Sequence, residues 1–149
     1  MVKRFSFLLV ALCLVIGAGV LIGCNNPTSG FGELEGTWVS GDGDSYIITA
    51  TTVTYVSGFD MDFAGTIAKH RTDGANAGYI IIRFTQNDWN DGPLGNYYVI
   101  HYKGLTSTSV QMASAWKQDG QSSMPSAAAA EEEFTVEKGY FNMYGTYTK

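Results

Sequence analysis

Few side chains in this 149-residue chain could do chemistry. Cys13 and Cys24 are its only thiols, and His70 and His101 its only imidazoles. No Gly-x-Ser-x-Gly, His-Glu-x-x-His or phosphate-cradling glycine loop occurs. His101 shares a strand face with Tyr97 and Lys103 and could serve as an acid or base; the plainer expectation for it is a solvated outer face. His70, beside Arg71 at a strand end, carries the same expectation. Asn87-Asp88-Trp89-Asn90-Asp91-Gly92 offers oxygen donors of the calcium-loop kind, but Trp89 stands third, where a donor is needed, and Tyr98 twelfth, where a glutamate is. Asp42 and Asp44, like Asp60 and Asp62, are carboxylates two apart in turns, where Asp usually caps its own backbone. These residues predict no catalytic site, no metal ligand and no cofactor, so the chain is not expected to be an enzyme.

Aromatic residues are the better resource. Alternation along the predicted strands gathers Tyr46, Tyr55, Phe63, Phe84, Tyr98, Tyr102 and Trp116 on inward faces. Their rings could line an apolar pocket, with phenol hydroxyls fixing a polar end. They could equally fill the interior, which suits short strands. Trp89, in a loop rich in Gly, Asn and Asp, is a candidate contact residue for a partner.

Those faces need strands to hold them. Eight segments dense in Tyr, Ile, Val, Thr and Phe cover residues 37–39, 45–50, 53–57, 61–70, 78–85, 96–103, 109–117 and 140–148. Ile80, Ile82 and Phe84 oppose Ile81, Arg83 and Thr85; Tyr98, Ile100 and Tyr102 oppose Tyr97, Val99, His101 and Lys103. Val110, Met112 and Trp116 oppose Gln111, Ala113 and Lys117, and Phe141, Met143 and Tyr147 oppose Tyr140, Asn142 and Tyr144. The first set of each comparison is the predicted core. Four Ala and three Glu over residues 127–133 predict a short helix before the last strand, capped by Ser123 or Ser126 and docked by Phe134. Eight sequential strands with short links predict an all-β, antiparallel up-and-down barrel.

The N-terminus has a different character. Lys3 and Arg4 precede an uncharged apolar run of about 18 residues, the layout of a secretory signal. A transmembrane helix is the rival reading, but no basic cluster follows the run. Leu21-Ile22-Gly23-Cys24 resembles the lipobox of bacterial lipoproteins. The resemblance implies cleavage before Cys24, a diacylglyceryl thioether on its sulfur and an acyl group, typically palmitate, on its new amine. It places the protein in the cell envelope, held to the membrane by lipid. Asn25, where an inner-membrane lipoprotein carries Asp, points to the outer membrane. The expected organisation is residues 1–23 as signal peptide, 24–33 as a lipidated flexible tether, and 34–149 as the barrel domain.

Loss of the signal leaves no thiol for a disulfide or a zinc site once Cys24 is acylated. It also removes two of nine basic residues, leaving seven against fourteen acidic ones, a net charge of −7. An acidic body lacks the basic patch that nucleic acid requires.

Gly36-Thr37-Trp38 opens the first strand. It is similar to the Gly-x-Trp signature of lipocalins, in which the Trp plugs the closed end of the calyx. The late helix before a final strand is also lipocalin-like, whereas the family's Thr-Asp-Tyr motif and the late Arg that covers the Trp are absent. The resemblance implies a small apolar ligand held in the open end of the barrel. The alternative is a surface protein with a side-chain-filled barrel, meeting a protein partner through the loops around Trp89 and residues 42–44.

Overall fold

A computed structural model describes residues 31–88 and 92–149. Cys24, its signal segment and Trp89 lie outside the described residues. In chain order the elements are α1 (Phe31–Leu34), β1 (Gly36–Ser40), β2 (Ser45–Ile48), β3 (Thr52–Val56), β4 (Phe63–Thr72), β5 (Gly78–Asn87), β6 (Tyr97–Lys103), β7 (Ser109–Ser114), α2 (Ala127–Glu133) and β8 (Gly145–Thr148). Each strand pairs antiparallel with its sequence neighbour, and β8 closes onto β1 through Val39 opposite Thr148 and Ser40 opposite Tyr147. The result is the predicted eight-stranded up-and-down barrel with a short helix before the last strand. Closure leaves no open sheet edge.

Local chemistry fixes the corners. Ser40 Oγ accepts from the amides of Asp42 and Asp44 at 3.3 and 3.1 Å, which turns β1 into β2. Thr49 Oγ1 does the same for Thr51 and Thr52 at 3.3 and 3.0 Å, closing β2 onto β3. The β4 ladder slips between Ala64 and Gly65. A Cβ on Gly65 would stand 2.7 Å from the Arg83 carbonyl oxygen, so the glycine permits this close approach of β4 to β5.

One end of the barrel is sealed. Trp38 is fully buried there, and its Nε1 donates to the Leu34 carbonyl at 2.7 Å. The sequence predicts a tether through residue 33; instead Phe31–Leu34 form a helical turn that buries Phe31 and Leu34. Three residues apart, these two point to one side and plug the barrel. The Phe31 ring lies 4.9 Å from the half-buried His70 ring, which stacks on Tyr102 at 5.8 Å. His70 Nε2 and the Tyr102 hydroxyl are 2.9 Å apart, so His70 is part of the end seal rather than a solvated strand end. From the C-terminus, the Lys149 ammonium sits 4.3 Å over the Trp38 ring and donates to the Glu33 carbonyl at 2.8 Å.

A second core lies outside the barrel. Ser126 Oγ caps α2 by accepting from the Ala129 amide at 3.2 Å. Seven residues make a marginal helix alone; packing of buried Ala130 and Phe134 onto β5 and β6 holds it. The segment after α2 continues this cover. As a result the outward-facing Tyr79, Ile81, Val99 and His101 are all buried, although Ile81, Val99 and His101 stand opposite the predicted core and His101 was expected to be solvated. The final strand is also shorter than predicted, because 134–144 packs over the sheet instead of joining it. Phe141 therefore contacts Tyr79 and His101 at 5.8 and 5.4 Å rather than pointing into the barrel. Tyr140, expected opposite the core, is buried with its hydroxyl donating to Glu133 Oε1 at 2.6 Å.

Candidate functional site

At the end opposite the seal, the β1–β2 turn, the β3–β4 loop, the β5–β6 loop and the long β7–β8 connection surround a mouth. A layer of rings lies beneath it. Tyr46 packs on Tyr55 at 4.8 Å and on Tyr147 at 5.1 Å. Tyr55 stacks on Phe63 at 5.1 Å, and Phe84 on Tyr98 at 5.1 Å. These residues come from six strands and meet because each occupies an inward position at its strand's mouth end. Two hydrogen bonds lock the layer, both 2.7 Å: one across the barrel between the Tyr46 hydroxyl and Ser114 Oγ, and one in which the Tyr98 hydroxyl donates to the Ala115 carbonyl beside the neighbouring strand.

Two cavities open above this layer. The larger, about 520 Å³, has Tyr46, Tyr55, Tyr147, Met112 and Ser114 in its wall and Asp44, Met61, Trp116 and Met143 at its rim. The smaller, about 220 Å³, runs between Phe63, Phe84 and Tyr98 on one side and Asn87, Lys117 and Gln121 on the other. Trp116 lines both.

The phenols of the larger cavity stay neutral in ordinary buffer. Burial pushes Tyr46 well above its ordinary pKa, with the neighbouring Tyr147 adding to the rise. Burial also raises Tyr55, followed by Tyr147 and by the charge and hydrogen bond of Asp44. Tyr147 is pushed to about 12, by burial first and then by Asp44 and Asp42. Each is thus a hydroxyl that can donate as well as accept. Asp44 is itself fixed, its Oδ1 accepting from the Gly58 amide at 3.1 Å, while Asp62 Oδ1 accepts from Ser57 at 2.8 Å.

Of the residues predicted to contact a ligand, Tyr46, Tyr55 and Trp116 line the larger cavity, and Phe84, Tyr98 and Trp116 the smaller. Tyr102 lies apart, at the sealed end with His70. Trp116 is not the inward core residue expected: it is 44% exposed, because β7 stops at Ser114 and the chain then turns so that the Trp116 amide donates to the Tyr140 carbonyl at 2.9 Å. Met143, also predicted inward, is 62% exposed at the rim. Tyr147 and Met112 were already on predicted inward faces; Asp44 had no signal beyond its place in a turn, and Met61 none beyond opening the predicted fourth strand.

No family model matches this chain, and searches of curated proteins and of solved structures find no match either. The site is therefore read from its own chemistry.

His101 belongs to neither cavity. It is 4% exposed beneath 134–144, with Nδ1 2.8 Å from the Tyr144 hydroxyl and its ring 4.4 Å from Tyr79. Burial lowers its pKa to about 4; Lys103 and Arg71 push the same way, and Asp73 and Glu137 oppose them. The expectation of a solvated imidazole fails because alternation cannot register a cover supplied from residues 134–144. Among the described residues no three His, Cys, Asp or Glu side chains converge to hold a metal.

Proposed function

We propose that this protein is a lipid-anchored, lipocalin-like binding module of the bacterial envelope that holds a small, largely apolar molecule in the mouth of its barrel. One observation carries the reading: the cavity of about 520 Å³, walled by tyrosines and rimmed by methionine and tryptophan, at the open end of a sealed barrel. Its size falls in the range of small-molecule sites, roughly 300–1,000 Å³. Trp38, one residue after Gly36-Thr37, is buried at the sealed end with the Lys149 ammonium over its ring, where the lipocalin resemblance implies an Arg. A cation over the Trp face serves either way.

Anchoring fits the same geometry. Phe31 is in the seal, and six residues separate it from Cys24, a reach of at most about 25 Å. A lipid on Cys24 holds the sealed end toward the membrane, in this reading the outer one, and leaves the mouth facing the aqueous side.

The experiment is titration of the purified protein with the neutral dye N-phenyl-1-naphthylamine. Saturable one-to-one binding, weakened by Met143→Glu at the exposed rim, is expected. Absence of saturable binding sinks the reading. The outcome then favours the alternative, a protein-binding surface, which has one observation of its own: Phe59 is 79% exposed and Leu94 is exposed, both on loops around the mouth.

A further inference from the structure

We propose that the larger mouth cavity is an aromatic cage for an organic cation, an amine or quaternary ammonium group carried on an apolar body. This rests on the reading of the mouth as a ligand site and names the ligand's charge. Three tyrosine rings meet at steep angles: Tyr46 and Tyr55 at 50°, Tyr46 and Tyr147 at 70°. Such rings form walls on several sides of one space, and the negative face of each attracts a cation within about 6 Å. Trp116, the strongest ring for this purpose, stands at the rim with its side chain available.

Charge around the cavity is sorted the same way. Asp44 is the one charged side chain among the described residues lining it; no Lys, Arg or His does. Asp42 precedes it in the same turn, and Asp62 is held at the neighbouring loop by its bond to Ser57. The field of Asp42 and Asp44 reaches the Tyr147 hydroxyl, and that of Asp44 and Asp62 the Tyr55 hydroxyl. An anion placed here would meet a carboxylate and the electron-rich faces of rings. Lys117 lines the smaller cavity instead. Met61, Met112 and Met143 supply flexible thioethers against which an apolar body of variable shape can pack.

The test compares two ligands of one shape, phenethyltrimethylammonium and its neutral carbon isostere (3,3-dimethylbutyl)benzene, by equilibrium dialysis against the purified full chain. The cation is expected to bind about tenfold tighter or better. Asp44→Asn keeps an acceptor for the Gly58 amide and should lower that ratio severalfold, the remainder belonging to the ring faces, with the isostere's affinity unmoved. Met143→Lys, at an exposed position, should weaken the cation selectively and leaves the core untouched. Equal binding of the two ligands to the wild type overturns the cation inference and leaves the apolar site standing. Binding of neither removes the mouth as a ligand site. A cation preference left unchanged by both substitutions puts the cation elsewhere and overturns the cage.

Discussion

His101 makes stability depend on pH in a window where few other groups titrate. Its folded pKa is lowered from 6.5 to about 4 by burial under 134–144. As pH falls below 6.5 the unfolded chain takes up the proton first, so the stability linked to neutral His101 is fully present above that value, declines through the interval and is gone below about 4. The full difference corresponds to about 3 kcal/mol, since one pH unit is worth about 1.4. That is a large share of the 5–15 kcal/mol typical of a domain. The assay is urea unfolding at half-unit steps from pH 7.5 to 5, for wild type and for His101→Gln. Gln keeps an acceptor for the Tyr144 hydroxyl and cannot titrate. Wild type should lose stability with a slope approaching 1.4 kcal/mol per unit below pH 6.5, over a nearly flat variant. Taking the difference between the two cancels carboxylates common to both. Parallel profiles would refute the reasoning, because an imidazole reached by water has no reason to stay neutral. In that case 134–144 does not cover the sheet in solution.

Other substitutions test other parts of the molecule. Cys24→Ser should move the protein from the membrane fraction to the soluble one and abolish labelling by a palmitate analogue; a variant that stays membrane-bound at unprocessed mass points to an uncleaved helix. Trp38→Ala should cost about 3–5 kcal/mol in thermal or urea unfolding, because it empties the sealed end. Lys149→Met should cost only about 0.5–1 kcal/mol, and a much larger loss would mean that the C-terminus clamps α1 by more than its cation over Trp38.

The sequence carried the barrel because turn residues and period-two alternation are local. Ser40 and Thr49 hold corners, and Ile80, Ile82, Tyr98 and Ile100 do point inward. Alternation identifies two faces but not which of them meets water. Ile81, Val99 and His101 look like the solvent side of β5 and β6 until a segment some 40 residues downstream folds over them. That event is non-local, and only the apolar character of the supposedly outer face hinted at it. Trp116 was misread for a related reason. The β pattern continues to residue 117, yet the hydrogen bond that decides its direction comes from Tyr140. Phe31 and Leu34 were hidden in Gly- and Glu-rich sequence, although their spacing of three is the signature of one helical side.

In the proposed function, the two ends of the barrel divide stability from recognition. At the seal, Trp38, Leu34 and Phe31 are buried, so changes there create cavities and act on the fold. At the mouth, Met61, Trp116 and Met143 are exposed, and surface changes of that kind usually stay within about 0.5 kcal/mol. Their identity can therefore alter what the cavity accepts without endangering the barrel. The ring layer of Tyr46, Tyr55, Phe63, Phe84 and Tyr98 is the boundary between the two regimes. Its upper surface is cavity wall and its lower surface is core, so a substitution there must affect both. Tyr46→Phe separates the roles most cleanly. It keeps the ring and its packing on Tyr55 and Tyr147 but removes the hydroxyl that bonds Ser114 across the barrel. Loss of one such bond is worth about 1 kcal/mol. If the cavity recognises its ligand by ring faces, as a cation cage does, binding should persist once the variant's folded fraction is allowed for. Recognition through the phenol would instead abolish binding at unchanged fold, and the ring-face account would fail.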